Sequence, residues 1–256
     1  MKRQDTMFSI RVGNIGLLLH ATSQLTEIAD EVTVKLTPEL FSMIASHRSS
    51  RFDVVLKLPR NFFTAYSVLL THTSRISIHA FHTALLDAST SPSMTIHIHD
   101  SINRFILRFE NSSHQQEKRH ELIFSLLPDQ DQDEDHFGKL DYGRFFGIHY
   151  QDFTQIIARF SIHDDETLLV TSTDSEVTFS TPARLLTLHK EGGKCTILGR
   201  GEDEMTQFLI TIQPMMFFLG VAGQSQKVWF FKTVDSRGAM RVPFDTYVYV
   251  IYFNLI

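Results

Sequence analysis

One pattern constrains this chain more than any other: the order strand, helix, hairpin, strand comes round four times within 256 residues. The first copy opens on the alternating run Met7–Val12. It continues into Ile15–Glu27, where Ile15, Leu18, Leu19, Thr22 and Leu25 fall at helical spacing. Glu31–Leu36 and Leu40–Ala45 flank Thr37-Pro38-Glu39 as a hairpin, and Phe52–Leu58 closes the unit before Pro59. The second copy has a helix near Ile78–Ala88, a hairpin from Met94–His99 to Arg104–Glu110, and a strand at His120–Leu126. The third runs through Phe146–Tyr150, a helix over Asp152–Phe160, the hairpin Thr167–Ser172 to Glu176–Ser180, and strands at Leu185–His189 and Phe208–Ile212. The fourth has a helix near Pro214–Ala222, a hairpin from Val228–Val234 to Ala239–Val242, and the last strand Tyr247–Ile256.

Short helices with one apolar face, alternating with strands polar on their second face, suit antiparallel sheets with helices packed on one side. The expected class is therefore α+β, duplicated. Between the second and third copies lies Pro128-Asp129-Gln130-Asp131-Gln132-Asp133-Glu134-Asp135, acidic and without periodicity. It divides the chain into residues 1–127, an acidic connector over 128–141, and residues 142–256. Each half is long enough to bury a core of its own.

A net charge of −5 argues against a surface that coats nucleic acid indiscriminately and leaves room only for a local basic patch. Cys195 is the single cysteine, so no intramolecular disulfide forms and a reducing compartment is expected. The start Met1-Lys2-Arg3-Gln4-Asp5 lacks the apolar core of a signal peptide, and no apolar run reaches membrane-spanning length.

Catalytic signatures are equally scarce. Gly192-Gly193 and Gly199–Gly201 lack the strand–helix context and the Lys-Ser/Thr of a phosphate loop. Asp133, Glu134 and Asp135 sit in a solvated acidic run where carboxylates are not held at a fixed separation. His97 and His99 alternate on one strand and face the same way, but nothing in the sequence supplies further zinc ligands. Neither a metal nor a cofactor is expected.

Particular stretches resemble a known superfamily. Phe41-Ser42-Met43-Ile44-Ala45-Ser46-His47 is similar to the second hairpin strand of sliding clamps related to proliferating cell nuclear antigen, and Val177-Thr178-Phe179-Ser180 to the matching strand of their second domain. Leu25, Ile28-Ala29-Asp30-Glu31, Ser49-Ser50-Arg51, Pro59, Phe62-Phe63 and Tyr66 resemble the Rad-nine subunit of the heterotrimeric DNA-damage checkpoint clamp. That likeness spans about a quarter of the chain. Relatives of this subunit usually continue into a long phosphorylatable tail, whereas this sequence stops at Ile256.

The resemblance implies a DNA clamp fold and a non-catalytic, nuclear ring subunit. Its partners are two other clamp-like subunits, a clamp loader, double-stranded DNA through the ring, and checkpoint and repair client proteins. It implies DNA-facing positions at His20, Gln24, His79, His82, Gln155, Arg159, Gln224 and Lys227, of which only Arg159 and Lys227 are reliably charged near pH 7. These also read as ordinary solvated helix faces. It implies a client-peptide pocket at Met43, His47, Leu126, Leu127 and Pro243, residues whose commoner fate is plain core. It further implies ring-closing edges at His120, Leu122, Ile123, Phe124 and Leu126, and at Leu185, Leu186, Leu188 and His189. A homotrimeric replicative clamp and a metal-dependent 3'-5' exonuclease are the alternatives. The sparse basic residues on the helices weigh against the first, and the missing carboxylate cluster against the second.

Overall fold

The computed structural model describes residues 7–99, 103–110, 118–127, 139–160, 167–199 and 205–254. The chain divides into two compact units. The first comprises Met1–Ser46 with Val55–Asp131, and the second His47–Val54 with Gln132–Ile256. The short segment His47–Val54, which chain order assigns to the first half, thus belongs with the second unit.

In the first unit β1 (Met7–Val12) leads into α1 (Ile15–Thr26), then β2 (Glu31–Leu36) and β3 (Leu40–Ser46). The unit boundary falls inside β4 (Phe52–Pro59). There follow β5 (Ala65–Ser67), β6 (His72–Ser77), α2 (Ile78–Asp87), β7 (Ser93–His99), β8 (Arg104–Glu110), β9 (Lys118–Ile123) and β10 (Ser125–Leu126). One sheet has the order β5-β1-β7-β8-β9; in the other, β10-β6-β2-β3 are hydrogen-bonded in sequence, every pairing antiparallel.

The helices form where the chain supplies a cap and an apolar stripe. Asn14, in extended conformation, accepts from the Leu17 amide at 3.4 Å and starts α1. Ile15, Leu18, Ala21, Thr22 and Leu25 then turn inward. Ser77 does the same for α2 at 3.2 Å, with Ile78, Phe81, Ala84 and Leu85 buried. A hydrogen bond of 3.1 Å between Thr22 Oγ1 and His82 Nδ1 ties the two helices.

The second unit repeats this plan. It contains β11 (Leu140–His149), α3 (Tyr150–Phe160), β12 (Thr167–Ser172), β13 (Glu176–Ser180), β14 (Leu185–His189), β15 (Cys195–Gly199), β16 (Thr206–Thr211), α4 (Met215–Ala222), β17 (Lys227–Thr233), β18 (Gly238–Phe244) and β19 (Tyr247–Phe253). One sheet runs β14-β13-β12-β16; in the other, β19-β18-β17-β11-β15 are joined in order. Phe146, Phe153, Phe179, Phe208 and Phe230 form its aromatic core, with Phe146 and Phe230 stacked at 5.2 Å and Phe153 of α3 meeting Phe230 at 5.5 Å. Such pairs add about 0.5–1.5 kcal/mol each beyond the area they bury.

The fourfold repeat stands, with four short or cryptic additions: β5, β6, β10 and β15. β11 already begins at Leu140, inside the stretch read as connector. The rest of that stretch, 128–138, lies outside the described residues.

Candidate functional site

Two surfaces are of interest, the helix faces and the sheet edges. On the helices His20, Gln155 and Arg159 are exposed, as expected of a polar face. Gln24 is half-buried and donates to Ser23 Oγ at 3.3 Å. His79 is exposed, with Nε2 3.4 Å from Asp30 Oδ1. One expectation needs correction, and another residue lies off the helices. Gln224 follows α4 and accepts from the Tyr247 hydroxyl at 2.8 Å, so it is committed to the unit's interior. Lys227 stands on β17, where its ammonium donates to Thr196 Oγ1 at 2.8 Å. Arg159 is then the only Lys or Arg on the four helices, and Asp87 and Asp152 offset it. Asp152 is itself paired with Lys194 at 2.9 Å. The helix faces carry little net charge, and α4 exposes the apolar Met216.

His82 has a more local role. Burial, and then the neighbouring His79, push its pKa below the ordinary value. His47 is pushed down too, by burial first and then by Arg51 and Arg48. Both groups are held neutral in the fold, so the unfolded chain takes up these protons first. Stability is complete above the ordinary histidine value of about 6.5 and falls as the pH drops below it. The urea midpoint is accordingly expected to decline between pH 7 and pH 5. His82→Gln should flatten that decline, and an unchanged slope would show that His82 does not contribute to it.

The pocket reading also changes. Met43 is fully buried, on a strand whose residues 41–45 are all inaccessible, and presents no atom to a client. His47 is half-buried and stacks on Phe52 at 4.7 Å. Leu126 is exposed and Leu127 half-buried, with the Leu127 amide donating to Thr73 O at 3.2 Å. Pro243 is exposed on β18 opposite Val248.

The edges are better defined. β9 ends one sheet of the first unit and β14 ends one sheet of the second. The Phe124 amide bonds back to Asn103 O, so the alternation along the strand turns the amides of Arg119, Glu121 and Ile123 away from β8. By the same alternation, the inward amides of Arg184 and Lys190 leave those of Leu185, Thr187 and His189 facing outward on β14. Ile123 is 73% and Leu185 60% exposed beside these outward amides, while Leu122 and Leu186 are half-buried and Leu188 is buried. Two residues expected on the first edge are not there. Phe124 is 3% exposed, packed edge-on against Phe105 and His72 at 5.3 Å each. Leu126 lies on β10, which has left that sheet to pair with β6. The chain changes sheets at Phe124.

The ends of both edges are charged. Lys118 and His120 each meet Asp87 at 3.0 Å, and the Lys118 hydrogen bond is the main cause holding that carboxyl below its usual range. Arg119 and Arg104 share Glu121 at 2.6 and 2.9 Å. Beside β14, Arg184 donates to Arg159 O at 2.7 Å, and His189 lies 3.3 Å from Glu176.

Among the described residues no group of three or more His, Cys, Asp or Glu side chains is placed to hold a metal ion. His97 and His99 share one face of β7 without further ligands assembling around them. No helix of the described residues is long and apolar enough to cross a membrane.

No family model and no curated protein matches the chain. Solved structures do. Proliferating cellular nuclear antigen from Entamoeba histolytica is similar over 96% of this chain and 97% of its own, at 14% identity and a TM-score of 0.73. A chain of the PCNA2–PCNA3 complex from Sulfolobus tokodaii is similar over 96% of this chain and 98% of its own, at 12% identity and a TM-score of 0.72. The fold is that of the sliding clamps, α+β with antiparallel sheets and, among the described residues, four α-helices.

Proposed function

We propose that the chain is a non-catalytic subunit of a heterotrimeric ring clamp that encircles DNA and recruits checkpoint and repair proteins in the nucleus. The observation that carries this reading is the pair of terminal strands, β9 and β14, that no other strand of the described residues covers, on a sliding-clamp fold. Each presents outward amides beside exposed apolar side chains, the composition of a strand that pairs with another chain. Pairing the first edge of one subunit with the second edge of the next is a heterologous contact that closes into a ring.

The near-neutral helices fit a subunit that holds DNA by encirclement, since strong phosphate binding needs several cations. The Rad-nine-like residues from Leu25 to Tyr66 support the checkpoint assignment, with a clamp loader placing the ring on DNA.

The test is topological. Purified from its own cells, the chain should bring down two other clamp-like chains in equal amounts by mass spectrometry. The loaded assembly should stay on a nicked circular plasmid and slide off when that plasmid is linearised. A stable homotrimer formed by the chain alone would favour the replicative reading instead. Retention that linearisation does not change would reject encirclement.

A further inference from the structure

The sheet β19-β18-β17-β11-β15 buries one face against α3 and the second sheet, through Phe146 and Phe230. Its opposite face is unusually aromatic. Cross-strand register places Leu198, Phe145 and Phe231 in one row and Thr196, Gly147, Trp229 and Arg241 in the next. Tyr142 lies over the first row, 5.8 Å from Phe145 and 5.4 Å from Phe231, edge-on to both. Gly147 lets the indole of Trp229 lie flat across β11: a Cβ there would meet the ring at 2.8 Å. Tyr142 is 58% and Leu198 42% exposed, Phe145 and Trp229 are half-buried, and Phe231 is buried among them as the floor of the row.

Two cations border this surface. Lys227 Nζ lies 5.6 Å from the Trp229 ring centroid, and Arg241 is directly opposite Trp229 on β18. Neither has a carboxylate partner among the described residues. In a chain of net charge −5 that leaves a local positive potential on an apolar face.

We propose that this face docks an acidic segment of a partner protein through an aromatic or leucine anchor. The rings supply the apolar seat, and Trp, Tyr and Arg are the residue types that dominate binding energy at interfaces. Lys227 and Arg241 select carboxylates beside the anchor. A nucleic-acid platform fits less well. Phe145 and Phe231 stack on each other at 4.9 Å and Lys227 sits over the indole, so ring faces that bases need are already occupied. The surface lies wholly within the second unit and does not depend on ring closure.

Trp229 is the only tryptophan, so its fluorescence reports this face directly. A random dodecapeptide display library is panned on the full chain, and the enriched peptides are synthesised and titrated against Trp229 emission. Enriched sequences are expected to pair Asp or Glu with Phe, Trp or Leu and to shift that emission saturably. Arg241→Glu and Tyr142→Ala should each weaken them at least about tenfold while leaving circular dichroism unchanged. Peptides without acidic residues, or binding that neither variant weakens, would overturn the proposal. So would a (dT)12 oligonucleotide that shifts Trp229 emission more tightly than any peptide, which would assign the face to nucleic acid.

Discussion

Proline at position 123 is expected to remove ring assembly while the first unit stays folded. The Ile123 amide points away from β8, so Ile123→Pro deletes a donor that serves no ladder bond to β8. The inward ladder, including Phe124 to Asn103 O at 3.2 Å, is untouched. At an assembled edge the same change removes one inter-chain hydrogen bond and leaves a partner carbonyl facing ring carbons. Together these cost about 2–4 kcal/mol, roughly a 30- to 1,000-fold loss in association. Sedimentation velocity of the variant mixed with its partner chains measures this. Wild-type affinity would place the interface elsewhere, and loss of the circular dichroism signal would show that the strand cannot accept proline.

The sequence made the repeated strand–helix–hairpin plan legible because each copy carries a short amphipathic helix beside alternating strands. What it hid has physical causes. β5 and β10 are too short to show a period. β15 ends at Gly199, whose φ of +82° and close approach to the Gly143 carbonyl read locally as loop. Met43 was open to a pocket reading because β3 is buried on both faces, so alternation gives no hint of which side faces out. Phe124 looked like part of a continuous edge. It is the residue at which the backbone leaves one sheet for another, and its side chain turns inward there. The edges themselves were visible as apolar runs, but the direction of their amides and the cations beside them required the register. The aromatic face needed still more. Trp229 and Phe231 alternate on one strand, yet only their pairing with Gly147 and Phe145 shows that they share a surface.

Phe52→Ala is expected to destabilise the second unit by about 3–5 kcal/mol, the usual cost of deleting a fully buried ring. Phe52 belongs to the segment His47–Val54, well before the rest of that unit, which begins at Gln132. It is nonetheless surrounded there. Phe218 lies at 5.3 Å, Phe217 at 5.6 Å, stacked, and Phe253 at 6.4 Å, with His47 against its other side. The backbone is tied as well: the Asn254 amide donates to Arg51 O at 2.7 Å, and the Asn254 side chain donates to Asp53. Removing the ring leaves a cavity that these fixed elements cannot close, which is why the cost exceeds simple transfer. Trp229, also in this unit, supplies the signal, and urea denaturation followed by its emission measures the change. Leu69→Ala, at a site 85% exposed, is the control and should move the midpoint by less than about 0.5 kcal/mol equivalent. If Phe52→Ala costs under about 1 kcal/mol, the segment is not part of the second unit's core, and a fragment beginning at Gln132 should fold without it.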